Sequence, residues 1–83
     1  MNNSEIYEKV TVVLSKQLGI GRELINEDSL IGSDLGADSL DTAEIAMMIK
    51  DEFSYDLTDG DISNIKTVRD ICEILGLHCT EKT

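Results

Sequence analysis

The sequence lacks most features that would assign it to a secreted or membrane-embedded class. It has no proline and no tryptophan, and only two of its 83 residues are cysteines. Two thiols cannot form the disulfide framework of small secreted domains, so we expect a reducing, cytoplasmic compartment with both thiols free. The N-terminus has neither a basic flank nor an apolar run, and no stretch has the length and apolarity of a membrane span. We therefore expect no secretory leader and no membrane insertion.

Basic residues are also scarce, with 7 Lys and Arg against 17 Asp and Glu and a net charge of −10. This balance repels nucleic acid and anionic lipid and attracts a basic protein surface. Acidic composition can indicate disorder, but 41% of the residues are hydrophobic and they recur periodically, which predicts a fold. The length fits one small domain, residues 1–83, with a modest core.

The hydrophobic pattern is helical, and no strand-like alternation or hairpin signal is present. Apolar residues recur at three- and four-residue steps from Ser4 to Leu18, which predicts a first helix with Ser4 as its N-cap and Gly19 at its end. A second helix is predicted from about Ser39 to Phe53.

The C-terminal third predicts shorter elements. A short helical turn is expected within Leu57 to Asn64, weakened by Gly60, and a last helix over Thr67 to Leu75 that Gly76 stops. Residues 77–83 are expected to form a frayed tail. The predicted fold is therefore all-α, a small four-helix bundle of three main helices and one short helix.

A long connection, from Ile20 to Ala37, separates the first two helices. Connections of this length inside a compact domain tend to be packed and functional. The connection contains irregularly spaced apolar residues that we expect to anchor it in the core: Leu24, Ile25, Leu30, Ile31 and Leu35.

The second helix carries two apolar stripes, although a helix in a small bundle needs only one. Ile45, Ile49 and Phe53 form one stripe, and the other, here called the outer strip, consists of Leu40, Ala43 and Met47. Glu44 and Asp51 border the outer strip. It is either additional core under the long connection or a docking surface for a basic partner, with an apolar centre and an acidic rim.

The tripeptide Asp-Ser-Leu occurs twice, with Ser29 and Ser39 at its centre. Ser29 lies in the long connection, where we expect it to make a local turn hydrogen bond. Ser39 lies where the second helix begins, and Asp38 is a suitable N-cap. With Asp38 as the cap, a phosphate joined to the Ser39 hydroxyl would lie near free backbone N–H groups at the positive end of the helix dipole. The alternative is that Ser39 is itself the cap.

Other chemistries are poorly supported by the sequence. The residues before Ser39 lack the spacing of a nucleophile elbow, and the only histidine, His78, lies near the C-terminus. Cys72, His78 and Cys79 lack a paired Cys-x-x-Cys motif, and Cys72 has the spacing of a buried thiol. Residues 56–61 resemble a calcium loop only loosely. We therefore predict no metal site and no unaided catalysis.

The run LGADSLDTAEIAMMIKDEF resembles the signature of the acyl carrier proteins, in which the serine of Asp-Ser-Leu receives a 4′-phosphopantetheine arm. The resemblance covers nearly the whole chain, including Lys66-Thr67-Val68-Arg69-Asp70-Ile71. It implies a free-standing, non-catalytic carrier of bacterial-type fatty acid synthesis, which presents growing acyl chains as thioesters to the synthesis enzymes.

The resemblance also implies roles for individual residues. Ser39 would be the attachment residue, modified by a phosphopantetheinyl transferase that reads the flanking Asp38 and Leu40. The positions matching the surface that meets basic patches on fatty acid synthesis enzymes are Leu40, Asp41, Ala43, Glu44, Met47, Asp51 and Glu52. The positions matching the cavity for the acyl chain are Ile45, Ile49, Leu57, Ile65 and Ile71. The family further implies a monomer.

Several residues depart from the usual family pattern. Lys50 interrupts a stretch of the second helix that is commonly acidic in the family. Gly60 lies in a turn that is commonly more rigid, and Ile62 is bulkier than the residue usually found there. Ser54 and Tyr55 also differ, and the sequence offers no interpretation of them. Two other functions stay open at this level: a carrier for polyketide, aminoacyl or specialised lipid assembly, and an acidic helical interaction module without a prosthetic group.

Overall fold

The computed structural model of the chain describes residues 2–79, with Cys79 described by its backbone alone. Its helices are α1 (Asn3–Leu18), α2 (Ser39–Phe53), α3 (Asp59–Asn64) and α4 (Val68–Cys79). Within these residues there is no β-strand, only an isolated bridge between Leu30 and Thr67. The all-α class and the bundle of three main helices and one short helix are thus confirmed, as are the bounds of the second helix.

Helix α1 begins earlier than predicted. Asn2, not Ser4, is its N-cap: the Asn2 side chain accepts from Glu5 N at 2.9 Å, and Glu5 accepts from Asn2 N at 3.1 Å. This reciprocal capping box needs an acceptor three residues after the cap, and three residues after Ser4 stands Tyr7. The predicted end is confirmed, since Gly19 adopts the left-handed conformation at φ 68° and its N–H donates to Ser15 O.

Helix α4 continues past the residue predicted to end it. It runs through Gly76 to Cys79, so the prediction that Gly76 stops the helix was wrong. Glycine weakens a helix by only about 1 kcal/mol relative to alanine. Here the turn beyond Gly76 gains a tertiary contact, because the His78 ring stacks on Tyr55. Residues 80–83 of the predicted frayed tail lie outside the described residues.

The core forms where α1 packs against α2 and α4. Each of these three helices contributes the apolar face that its periodicity predicts, including Ile45, Ile49 and Phe53 of α2. The buried hydrophobic side chains are Ile6, Val10, Val13, Leu14, Ile25, Ile31, Ile45, Ile49, Phe53, Leu57, Val68, Ile71 and Leu75.

The long connection is held in the fold by fewer apolar anchors than predicted. Ile25 and Ile31 are buried and Leu35 packs partly against the core, but Leu24 and Leu30 are exposed, so their prediction as anchors was wrong. The chain near Ile31 pairs with the segment before α4, where Ile31 N donates to the Lys66 carbonyl at 2.9 Å. Leu30 forms the isolated bridge with Thr67 and keeps 41% of its surface exposed, whereas Ile31, the first residue of the turn that follows, is buried.

Candidate functional site

Ser39 is the exposed first residue of α2. Asp38 caps the helix: its carboxylate accepts from Asp41 N at 2.8 Å, and the Asp41 carboxylate accepts from Asp38 N at 3.3 Å. The prediction that Asp38 is the N-cap is confirmed, and the alternative that Ser39 is the cap is wrong. The Ser39 hydroxyl makes no hydrogen bond to any described residue, so capping does not occupy it.

The start of α2 fits a phosphate-linked group. The backbone N–H groups of Ser39 and Leu40 donate to no acceptor in residues 2–79, and they lie at the positive end of a 15-residue helix. The approach through Gly36 is also open, since this residue adopts a φ of 80° and a Cβ there would meet nothing within 4 Å. A phosphodiester on the serine oxygen would therefore find N–H donors beside it.

Ser29, the serine of the first Asp-Ser-Leu, is in a different environment. It is buried, and its hydroxyl oxygen accepts from Asn26 N at 3.1 Å, which confirms the predicted local turn bond. Its carbonyl accepts from Val68 N at 3.2 Å, which ties the long connection to the start of α4. Ser29 thus has a structural role and is not accessible to a modifying enzyme.

The outer strip of α2 faces solvent. Leu40 and Met47 each keep 68% of their surface exposed, and Ala43 is exposed between them. The alternative that the strip is core beneath the long connection was therefore wrong. An apolar strip left exposed along one helix is typical of a contact surface.

Acidic side chains border the strip, and several of them are held in place by α1. Gln17 donates to Asp41 Oδ1 at 3.3 Å and to Glu44. Lys9 pairs with Glu52 at 3.5 Å. These contacts between partly exposed groups contribute little stability, but they restrict where the carboxylates point. The rim is thus partly ordered before a partner arrives.

Lys50, the cation that departs from the family pattern, forms an ion pair outside the strip. Its Nζ lies 3.6 Å from Asp56 Oδ2, in the segment that follows α2. Asp51 next to it is exposed and forms no ion pair with any residue in 2–79. The acidic character of the rim therefore persists despite Lys50.

A cleft of about 350 Å³ opens between α2, the long connection and the α3 region. Ile45, Ile49, Leu57, Ile65 and Ile71, the five residues that the resemblance assigns to a cavity, all line it. Ala37 and Thr42 also line it, which places the cleft next to the start of α2. The structure thus brings together an exposed serine, a helix N-terminus and an apolar cleft.

Further cleft residues were not predicted from the sequence. Ala46 also lines the cleft. A helical-wheel projection of α2 places Ala46 on the same face as Ile45 and Ile49, so its position could have been predicted from the sequence. Leu30 and Lys66 come from segments without helical periodicity, and no local pattern indicates that they face the cleft. Their placement depends on the pairing between the long connection and the segment before α4.

Three further observations concern the chemistry of the described residues and their relation to a membrane. Burial, and then the charges of Glu27 and Glu73, raise the pKa of the half-buried Cys72 thiol to about 11, so it stays protonated at neutral pH. Among the side chains that the structure describes, no three His, Cys, Asp or Glu form a group that could hold a metal ion. None of the described helices combines the length and apolarity needed to cross a bilayer.

A family model and several similar proteins agree in the family that they indicate for this chain. A family model described as a phosphopantetheine attachment site matches residues 8–75. An acyl carrier protein of Guillardia theta is 41% identical over 76 residues, covering 92% of this chain and 94% of the relative. An acyl carrier protein of Thermosynechococcus vestitus is 36% identical with the same coverage. One of Cyanidium caldarium is 41% identical over 90% of this chain and 87% of the relative.

Proposed function

The chain belongs to the acyl carrier proteins with a phosphopantetheine attachment site, and on that premise we propose that Ser39 carries the 4′-phosphopantetheine. The observation that carries this proposal is an exposed serine on a capped helix start, beside an apolar cleft. When attached, the arm supplies a terminal thiol that holds acyl groups as thioesters. Asp38 fixes the helix start, and Asp38 and Leu40 flank the serine where a phosphopantetheinyl transferase would read them.

The cleft between α2 and the α3 region shelters the growing acyl chain. The five residues predicted to line the cleft are all isoleucine or leucine: Ile45, Ile49, Leu57, Ile65 and Ile71. Each methylene taken out of water stabilises the loaded protein by about 0.8 kcal/mol. Partial burial of the chain therefore favours its retention in the cleft between visits to the enzymes of fatty acid synthesis.

The outer strip and its acidic rim form the docking surface for those enzymes. Leu40, Ala43 and Met47 supply apolar contact, while Asp41, Glu44, Asp51 and Glu52 attract a basic patch. Long-range attraction accelerates encounter without requiring a tight complex, which suits a carrier that visits several enzymes. The phosphopantetheine arm then holds the acyl group at high effective concentration near the active site of each enzyme.

We further propose that none of the described residues 2–79 acts as a catalytic group. His78 engages Tyr55 by ring stacking, and the Cys72 thiol is protonated at neutral pH. Their positions support a non-catalytic carrier that acts as one domain over residues 1–83. The net charge of −10 favours a monomer, because like charges repel between copies. The scarcity of cysteine supports a cytoplasmic location.

The attachment site is tested by intact-mass measurement after co-expression with a phosphopantetheinyl transferase. We expect one added phosphopantetheine on the wild type and on Ser29→Ala, the matched control from the duplicated tripeptide, and none on Ser39→Ala. Addition to Ser39→Ala, or none to the wild type, contradicts the proposal. Mass spectrometry of the protein from its native cell identifies the loaded group, and an aminoacyl or polyketide group would move the carrier to another pathway.

A further inference from the structure

Helix α3 is the weakest element at the border of the cleft. It has six residues, includes Gly60, and buries none of its residues fully. Yet Ile62 of α3 lines the cleft, as do Leu57 before the helix and Ile65 after it. The position of α3 therefore determines how completely the cleft is closed.

Tyr55, in the segment between α2 and α3, makes a hydrogen bond to the first turn of α3. Its hydroxyl donates to Asp61 Oδ2 at 2.9 Å, and the same oxygen accepts from Thr58 N at 3.1 Å. Asp61 N in turn donates to Thr58 Oγ1 at 3.0 Å, which completes the capping box of α3. Hydrogen bonds from the Thr58 backbone and then the Tyr55 hydroxyl lower the pKa of Asp61, so the acceptor is an ionised carboxylate at neutral pH.

The ring of Tyr55 contacts a different helix. It stacks on His78 of α4, with ring centroids 4.3 Å apart and planes inclined by 15°. Helix α4 is firmly held in the core, since Val68, Ile71 and Leu75 are buried. One side chain thus joins the first turn of the weak helix α3 to the C-terminal part of a well-anchored helix.

We propose that Tyr55 is a positioning residue that keeps α3 closed over the cleft, with its hydroxyl on Asp61 and its ring on His78. Short elements with few buried residues open locally at lower free energy than the core. Removing either contact therefore lets α3 open more often while α1 and α2 stay folded. The role in acyl shelter rests on the proposed function, because the cleft that α3 closes is the one assigned to the acyl chain.

The first test measures native-state amide hydrogen exchange on the full chain without the arm. Tyr55→Phe removes the hydroxyl and keeps the ring, and His78→Ala removes the stacking partner. We expect both to accelerate exchange in α3 about fivefold to tenfold, the effect of losing one modest side-chain contact. Exchange in the core of α1 and α2 stays unchanged, and His78→Phe, which retains a stacking ring, restores the wild-type rate in α3.

Tyr7→Phe is the matched control, because the Tyr7 hydroxyl donates to the Ile25 carbonyl at 3.1 Å, in the long connection. We expect it to leave exchange in α3 at the wild-type rate relative to the core. Unchanged exchange in α3 for Tyr55→Phe and His78→Ala overturns the proposal. So does equal acceleration in every helix, or a selective effect of Tyr7→Phe on α3.

The second test uses the carrier loaded with an acyl group and measures cleavage of the thioester by hydroxylamine. We expect Tyr55→Phe and His78→Ala to accelerate cleavage of a long-chain thioester about fivefold. Cleavage of the acetyl thioester, whose chain is too short to use the cleft, stays at the wild-type rate. Equal long-chain rates in wild type and variants overturn the role of Tyr55 in shelter. A failure of the proposed function appears separately, as an unmodified Ser39 in the intact mass.

Discussion

Truncating Met47 to alanine tests whether the outer strip of α2 is a docking surface. Met47 keeps 68% of its surface exposed, so the folded chain gains little from its side chain. Alanine also has the highest helix propensity, which offsets the small loss of packing. We therefore expect Met47→Ala to change the free energy of unfolding by less than about 0.5 kcal/mol, the usual range for surface substitutions.

The effect on partner binding follows from the same exposed fraction. Burying a whole methionine side chain stabilises by about 1.5–3 kcal/mol, and roughly two thirds of the Met47 surface is available to a partner. Losing that contact removes about 1–2 kcal/mol of binding free energy, which raises Kd roughly 5- to 30-fold. This figure applies if Met47 lies at the centre of the contact, where it becomes fully desolvated.

The assay is calorimetric or surface-plasmon titration of the holo carrier against a fatty acid synthesis enzyme with a basic docking patch. Leu77→Ala is the matched control, because Leu77 is 82% exposed but lies on α4, away from the strip. Ile49→Ala is the contrasting core variant. Ile49 is fully buried two residues further along α2, and its truncation should cost about 2–5 kcal/mol of stability. Raising the salt concentration should weaken wild-type binding because the acidic rim is exposed.

Two results would refute the reasoning. A loss of stability in Met47→Ala as large as that in Ile49→Ala would mean that the strip packs inside the fold. An unchanged Kd for Met47→Ala with an intact fold would mean that partners bind elsewhere on the protein. An equal rise of Kd in Leu77→Ala would mean that the effect is not specific to the outer strip.

Asp38→Ala should lower the free energy of unfolding by about 0.5–2 kcal/mol in urea titrations, since it removes the cap of α2, whereas Asp38→Asn should retain most of it. Asp70 should contribute to the loss of unfolding free energy at acidic pH. Its pKa is lowered from 3.8 by hydrogen bonds from the backbone of Thr67 and then Lys66. Because the folded pKa lies below the unfolded one, this stabilisation is fully present above the unfolded value and is lost as pH falls through the folded value. Urea unfolding between about pH 5 and pH 2 should therefore show a shallower pH dependence in Asp70→Asn, and an unchanged slope would exclude Asp70 as a contributor.

Much of the fold was predictable because the helices carry their own signals. The bounds of α2 follow from Asp38, a side chain that can cap, and from an apolar face that ends at Phe53. The end of α1 follows from Gly19, whose left-handed conformation is costly for other residues. The candidate serine was also predictable, because Ser39 precedes a helical pattern and Ser29 does not.

The errors occurred where tertiary contacts outweigh local preference. Gly76 is a local stop signal, but α4 continues beyond it to place His78 on Tyr55. Leu30 is apolar, yet its backbone pairs with Thr67 and its side chain lines the cleft, partly exposed, without being buried in the core. In both cases the deciding contact joins segments far apart in sequence, which no local window contains.

The sequence by itself determined the helical class and the capped start of α2, where the proposed attachment residue Ser39 lies, since both depend on interactions within a few residues. Only the tertiary structure decided that the outer strip is exposed, because the wheel of α2 shows two apolar stripes and does not say which one the other helices cover. The cleft is likewise a tertiary property. It exists because α2, the long connection and the α3 region meet without filling the space between them, and close packing is decided only when those segments come together.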